Sequence, residues 1–182
     1  MMKDGIRVLG IDDASFSFED SQTFLTGVVY RGTEFIEDIQ TVDVDVDGYD
    51  ATEKVVELFN NCDNTSQIRG ILLDGISFAG FNIVDLDEVE ERTGKPVVAV
   101  TPNEPDREEF RETMERTGNV DEVFEDLGEP REVELEDGTA YIQFSGCGPE
   151  EARELVRKSV IHGLTPEPVR VSHMIGRAMY GR

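Results

Sequence analysis

The sequence lacks tryptophan, and among its 182 residues it has only two cysteines and four lysines. Cys62 and Cys147 lie far apart and form no C-x-x-C pair, which argues against a disulfide framework and against a cysteine zinc site. No apolar run is long enough to span a membrane, and the first residues show no apolar signal-peptide segment. We therefore expect a cytoplasmic protein with reduced thiols and no membrane partner.

Positive charge is scarce as well. The 40 acidic residues outnumber the 17 basic ones, and the net charge is −23. The hydrophobic residues, 38% of the chain, fall in periodic groups, which argues against a disordered acidic tail. A folded, lysine-poor, acidic protein is typical of a salt-accumulating halophile, because a Debye length of about 3 Å in molar salt screens surface repulsion. Most acidic residues are therefore predicted to hydrate the surface, and a catalytic role for any one needs a further argument.

The few basic residues concentrate towards the C-terminal end. Residues 152–182 carry six Lys or Arg against two Glu, and they also contain both histidines, His162 and His173. This distribution predicts an anion-facing surface on an otherwise acidic protein. The alternative is that these cations stabilise the C-terminal ends of helices, which favour positive charge.

The order of the predicted elements indicates the fold class. Apolar periodicity predicts strands at 6–16, 23–32, 34–48, 68–77 and 95–102, helices at 50–62, 81–94, 105–118, 148–163 and 167–182, and a hairpin at 131–146. This order predicts an α/β protein with a ribonuclease H-like mixed five-stranded sheet and helices on both faces, followed by a C-terminal hairpin and helices. The length fits a single domain over residues 1–182.

One segment, 41–54, resembles the front half of an EF-hand calcium loop because it contains D-x-D-x-D-G. A calcium loop that starts at Asp43 would need an acid at its twelfth position, and that residue is Lys54. The valines at 42, 44 and 46 keep the period of two that is typical of a strand with one buried face. The segment is therefore predicted to be a strand whose aspartates face the solvent.

Two aspartates are predicted to end neighbouring strands. Asp12 ends the first strand, beside Asp13, and Asp74 ends the apolar run "GILLD". In open α/β sheets, sites form outside the carboxyl ends of the strands. A carboxylate at the buried end of a strand is costly unless it is paired or binds a metal. Asp12 and Asp74 are therefore candidate catalytic and metal-binding residues, and turn capping is the alternative.

A third acid is predicted to open the helix after the third strand. Asp50 and Glu53 have the spacing of a capping box, so Asp50 is explained equally well as a helix N-cap, and Glu53 is its substitute as a ligand. Asn82 and Asp85 have the same spacing at the start of the next predicted helix. Two or three converging carboxylates are suited to Mg²⁺ or Mn²⁺, which prefer oxygen ligands.

These residues fall in stretches that resemble a known family. "GIDDASF", "DGYDATEK", "ILLDGISFAGFNIVD", "TGKPVVAVT" and "PEPVRVSHMI" together resemble the archaeal endonuclease dU family, which is similar to endonuclease V. The resemblance implies a ribonuclease H-like fold and metal-dependent nicking of DNA near deaminated bases such as deoxyuridine or hypoxanthine. It implies metal-binding roles for Asp12 and Asp74, with Asp50 or Glu53 in place of the middle acid. The wedge motif of endonuclease V is not visible.

The mechanism expected from this resemblance places one or two divalent ions between Asp12, Asp50 and Asp74, where an activated water attacks a phosphate. A damaged base would leave the stack and enter a pocket. The loop "GISFAGFN" is the candidate lining, with the nucleic-acid-binding residues Gly75, Phe78, Gly80 and Phe81. The alternative for both phenylalanines is ordinary core packing.

Two residues of the last predicted helix are further candidates for nucleic-acid binding. Arg170 and His173 could contact a phosphate or assist proton transfer; alternatively, their polar ends point outward from a helix packed on the sheet. DNA is the expected partner, with RNA and a homodimer as open alternatives. The competing functions are a non-catalytic ribonuclease H-like nucleic-acid- or protein-binding scaffold and hydrolysis of a small phosphate compound. Convergence of the three acids would favour the nuclease.

Overall fold

Nine strands and six helices make up the part of the chain that the computed structural model describes, residues 5–17, 19–118 and 122–180. The strands are β1 (Arg7–Asp13), β2 (Gln22–Arg31), β3 (Phe35–Asp45), β4 (Ile68–Asp74), β5 (Ser77–Phe78), β6 (Asn82–Ile83), β7 (Val97–Thr101), β8 (Arg131–Leu135) and β9 (Gly138–Ser145). The helices are α1 (Ala51–Asn61), α2 (Leu86–Thr93), α3 (Arg107–Thr117), α4 (Val123–Asp126), α5 (Pro149–Ser159) and α6 (Glu167–Met179).

The main sheet has seven strands in the order β3-β2-β1-β4-β7-β9-β8. β4 runs parallel to β1 and to β7, and the other neighbours are antiparallel. The predicted mixed arrangement is correct, but the predicted number of five strands is wrong. The hairpin β8–β9 joins the sheet because β9 pairs with β7, with Val98 opposite Phe144. This pairing covers the edge of a buried apolar strand, which would otherwise expose unpaired backbone groups.

Apolar side chains fill both faces of the sheet because the strands alternate their buried residues. Leu9 and Ile11 of β1 pack in one layer with residues of α1 and α2, whereas Val8 packs in the other layer with α5 and α6. The helices therefore lie on both faces, as predicted. At Gly10, an added Cβ would lie 2.4 Å from the carbonyl carbon of Pro168, so only glycine lets α6 lie this close to β1.

The segment 81–94 departs from its predicted helix at the N-terminal end. Residues 82–83 pair with 77–78 as a two-stranded ribbon, and the helix begins only at Leu86. Asp85 caps it by accepting hydrogen bonds from the amides of Asp87 and Glu88. The predicted cap at Asn82 is wrong, because its buried side chain instead binds the start of α1 through the Ala51 amide.

The segment 41–54 is not an EF-hand loop. β3 continues to Asp45, with Val42 and Val44 buried and Asp43 exposed, as the period of two predicts. Asp47 then adopts a left-handed backbone conformation with φ of 49°, which turns the chain towards α1. None of the described helices is both long and apolar enough to cross a membrane.

Candidate active site

Asp12 and Asp74 lie side by side at the carboxyl ends of two neighbouring parallel strands. Ile11 and Leu73 are register partners, so the aspartates that follow them reach the same edge of the sheet. Each aspartate follows the alternation of its strand, which places both carboxylates on the face covered by α6. The structure therefore brings these two predicted residues together.

The carboxylate of Asp12 is buried and has defined partners on both oxygens. The residue is only 3% exposed. Its Oδ1 accepts a hydrogen bond from the Asp13 amide at 2.8 Å, and its Oδ2 lies 2.7 Å from Nδ1 of His173. Burial, followed by repulsion from Asp74 and Asp13, raises the pKa of Asp12 to about 8. Without a cation, Asp12 therefore retains a proton near neutral pH.

Asp74 completes the acidic pair. Burial raises the pKa of Asp74, although a hydrogen bond from protonated Asp12 and the proximity of His173 oppose this shift. Burial and mutual repulsion therefore favour a proton on the pair in the absence of a cation. A divalent ion could replace that proton, because it would neutralise both carboxylates at once.

Asp13 is a third acid at this edge, but its side chain points to the opposite face of the sheet. Its Oδ2 accepts a hydrogen bond from the Ala79 amide, which anchors the loop after β4. Burial raises the pKa of Asp13, the Ala79 amide lowers it, and the charge of Asp74 raises it again. From the sequence, Asp13 was considered only as the neighbour of Asp12. Because side chains alternate along a strand, the two side chains could already be expected to point to opposite faces of the sheet.

Asp50 and Glu53 have other partners. Asp50 Oδ1 accepts hydrogen bonds from Asn82 Nδ2 at 2.7 Å and from the Asp45 amide at 3.3 Å. Glu53 is on the surface and forms an ion pair with Arg92 at 2.6 Å. The structure therefore does not place either as the middle acid beside Asp12. The buried side chain of Asn82 donates hydrogen bonds to the Asp45 carbonyl and to Asp50 Oδ1. These bonds hold Asp50 at the junction between β3 and α1.

The aromatic residues of the "GISFAGFN" loop pack inward. Phe78 is 1% exposed and belongs to the apolar core. Its position therefore agrees with the alternative of ordinary core packing. Phe81 is half-buried and contacts the ring of Phe110 edge-on, with 5.4 Å between the ring centroids. Phe78 therefore cannot line an open pocket in this conformation.

The glycines of the same loop allow close backbone approaches. Gly80 has a φ of 93°, and a Cβ there would lie 2.1 Å from Oδ1 of Asp47. That Oδ1 accepts a hydrogen bond from the Phe81 amide at 3.0 Å. Gly75 has a φ of 76° and donates its amide hydrogen to the carbonyl of Val100. The loop is thus held firmly beside the acidic pair.

The last helix contributes His173 but holds Arg170 away from the pair. Ser172 donates a hydrogen bond from Oγ to the Gly10 carbonyl at 2.8 Å, which fixes α6 over β1. Arg170 forms two hydrogen bonds, of 2.8 and 2.6 Å, with the buried carboxylate of Glu167. Of the two predicted residues on this helix, only His173 contacts the acidic pair.

The acidic pair has the donor chemistry of a site for a hard divalent cation. In the described ranges, no three His, Cys, Asp or Glu side chains converge closely enough to enclose a metal. Two carboxylates are nevertheless sufficient for Mg²⁺, which usually keeps several waters and takes further oxygens from substrate phosphates. Thr26 is the register partner of Asp12, and its buried Oγ1 has no hydrogen-bond partner among the described residues. Such a hydroxyl is suited to hold a water of the site.

The comparison with known proteins assigns the family. The sequence model described as Endonuclease dU matches residues 4–180. This chain belongs to the endonuclease dU family. A UPF0215 protein of Methanothermobacter thermautotrophicus is 38% identical over 189 residues, which cover 96% of this chain and 87% of the relative.

Two solved structures place the endonuclease dU fold among known ones. A protein of unknown function from Archaeoglobus fulgidus has a TM-score of 0.84 at 37% identity, over 97% of this chain and 99% of that chain. Endonuclease V of Ciona intestinalis, solved with a 24mer DNA containing an inosine followed by a ribo-adenosine, has a TM-score of 0.59 at 13% identity. The match covers 92% of this chain and 83% of that chain, and at this identity it shows a similar fold.

Proposed function

We propose that this protein is a divalent-metal-dependent endonuclease that nicks DNA near deaminated bases such as deoxyuridine or hypoxanthine. The observation that carries the proposal is the buried pair of Asp12 and Asp74 at the sheet edge, with His173 on Asp12. Membership of the endonuclease dU family supports nuclease activity. The fold shared with an endonuclease V that is bound to inosine-containing DNA supports the substrate class.

In the proposed reaction, Asp12 and Asp74 would hold Mg²⁺ or Mn²⁺, which would supply a Lewis acid and an activated water for phosphodiester cleavage. Both aspartates would be ionised when they hold the cation, because carboxylate oxygens are the ligands that such ions prefer. His173 fixes the orientation of Asp12 through Oδ2. Asp13 anchors the loop after β4 by accepting a hydrogen bond from the Ala79 amide.

High salt is part of the proposal because the protein is strongly acidic. In dilute buffer, a net charge of −23 repels a nucleic acid, whereas molar salt screens this repulsion to within about 3 Å. Such conditions also reduce the gain from releasing counterions. Binding would therefore depend on the metal, on shape and on the few cations near the site.

The test is nicking of labelled duplex DNA that contains one deoxyuridine or inosine, in molar KCl with Mg²⁺ or Mn²⁺. Asp12→Asn and Asp74→Asn should each abolish nicking at the lesion. Asp43→Asn, which removes an exposed acid of β3, is the matched control and should retain it. Equal nicking by the wild type and both site variants would point to a contaminating nuclease and overturn the proposal.

A non-catalytic nucleic-acid-binding scaffold is the second candidate. The observation that favours it is that only two carboxylates meet on the α6 face in the described part of the chain, instead of three. DNA that is bound by the wild type but never cut, with either cation and either lesion, would support the scaffold over the nuclease.

A further inference from the structure

Few arginine side chains lack a partner in the part of the chain that the structure describes. Most described Arg and Lys side chains form an ion pair, a hydrogen bond or a cation–π contact, as Arg170 does with Glu167. Among the described residues, Arg69 and Arg177 are the two cations that make none of these contacts with another described residue. An exposed guanidinium that makes none of these contacts is therefore a distinctive feature of this acidic surface.

Arg177 lies on α6 one turn beyond His173, which contacts Asp12, whereas Arg69 lies far from the acidic pair. The residue before Arg177 is Gly176, where an added Cβ would lie 3.0 Å from Cα of Ala14 and 3.2 Å from the carbonyl oxygen of Asp13. Arg177 also follows His173 by one helical turn, so both side chains lie on the same exposed face of α6. Arg69 is the second residue of β4 and lies about 17 Å along the strand from Asp74.

We propose that Arg177 binds a backbone phosphate of the nucleic acid and thereby positions the strand over Asp12 and Asp74. This inference rests on the proposed nuclease function and names a substrate contact for it. A guanidinium binds phosphate oxygens through two parallel hydrogen bonds, and its charge offsets the repulsion between phosphate and the site carboxylates. A direct contact of this kind persists in molar salt, where longer-range attraction is screened. Arg170 is less suited because its guanidinium is already bound by Glu167.

The experiment measures binding of fluorescently labelled, lesion-containing DNA by anisotropy across a series of KCl concentrations. The parent is the wild-type protein with Ca²⁺ in place of Mg²⁺, an ion that also takes oxygen ligands, and a gel confirms that the DNA stays uncut. A thermal melt confirms that each variant is folded. Arg177→Gln should weaken binding about 3- to 10-fold and lower the slope of log Kd against log[salt] by about one. Arg177→Lys should recover part of the affinity, because it keeps the charge without the bidentate geometry.

Arg69→Gln is the matched control, since it removes the other arginine that makes no ion pair, hydrogen bond or cation–π contact with a described residue, at the other end of the sheet. It should leave affinity and salt slope unchanged. If the parent binds DNA and Arg177→Gln binds equally well, the Arg177 contact is overturned while the nuclease proposal stands. Equal losses from both substitutions would mean a general charge effect and would also overturn it. If the wild-type protein neither binds nor nicks the DNA, both proposals fail together.

Discussion

Nδ1 of His173, on the last helix, lies 2.7 Å from Oδ2 of Asp12, which comes 161 residues earlier in the chain. The contact joins the C-terminal helix to the end of the first strand. It fixes the direction of a buried carboxyl group that also lies close to the acids Asp13 and Asp74.

His173→Ala should impair metal use rather than folding. Removing a group that orients a metal-binding carboxylate typically lowers metal affinity or activity by about 10- to 100-fold. We expect a reduction of this size in nicking, together with a higher Mn²⁺ concentration for half-maximal activity. His162→Ala, at an exposed position, is the control and should change neither quantity. An unchanged metal requirement in His173→Ala would argue against the orienting role.

The contribution of Asp12 to the stability of the metal-free protein should fall as the pH rises from about 4 to about 8. Burial raises the pKa of Asp12 to about 8, so the folded state holds a proton that the unfolded chain, with a pKa near 3.8, has already lost. This contribution is fully present below the unfolded pKa and is lost as the pH passes through the folded one. The raised pKa values of Asp13 and Asp74 act with the same sign.

Asp12→Asn should therefore flatten this pH dependence and raise the free energy of unfolding near pH 8 by roughly 1 to 3 kcal/mol. Urea denaturation in EDTA at a series of pH values provides the measurement. Asp43→Asn, on the exposed face of β3, should retain the wild-type slope. The same slope in the wild type and in Asp12→Asn would show that Asp12 does not hold the proton.

Thr26 provides an isosteric test of the unpartnered hydroxyl beside Asp12. Thr26→Val replaces a buried, unsatisfied hydroxyl by a methyl group, so the metal-free protein should be unchanged or more stable by about 1 kcal/mol. If the hydroxyl holds a water of the metal site, the rise in Tm on adding Mg²⁺ should be smaller in Thr26→Val than in Thr26→Ser. Identical rises in the two variants would remove Thr26 from the site.

Gly80→Ala should destabilise the loop beside the site. The residue has a φ of 93°, and its new Cβ would collide with Oδ1 of Asp47. We expect a loss of about 1 to 3 kcal/mol in the free energy of unfolding, measured by urea denaturation. Gly128→Ala is the control, since a Cβ there meets nothing within 4 Å. Equal stabilities of the two variants would contradict the tight contact between Gly80 and Asp47.

The sequence predicted those features that depend on local patterns. The alternation of apolar residues located the strands, and the strand ends located Asp12 and Asp74. Features that depend on distant pairing were not predictable in this way. Asn82 binds Asp50 across 32 residues, and no local pattern shows that this contact removes Asp50 from the candidate site. The pairing of β9 with β7 was missed for the same reason, since a hairpin signal does not indicate which strand it joins.

One local pattern in the sequence predicts that Arg170 is paired and is therefore a weaker candidate for phosphate binding. Glu167 and Arg170 are three residues apart in a helix, a spacing at which opposite charges form pairs. Because Arg170 is paired in this way, Arg177 is the arginine of the described part of α6 that makes no ion pair or hydrogen bond with another described residue. Its importance emerges only when the partners of the other cations are known in three dimensions.

The most direct test of the central claim is a Mn²⁺ titration of the DNA-free protein, followed by electron paramagnetic resonance of the free ion. We predict saturable binding by the wild-type protein that is lost in Asp12→Asn and in Asp74→Asn, but is retained in Asp43→Asn and Asp50→Asn. Binding that survives both substitutions in the acidic pair, or that is lost in Asp50→Asn instead, would contradict the claim that Asp12 and Asp74 form the metal site.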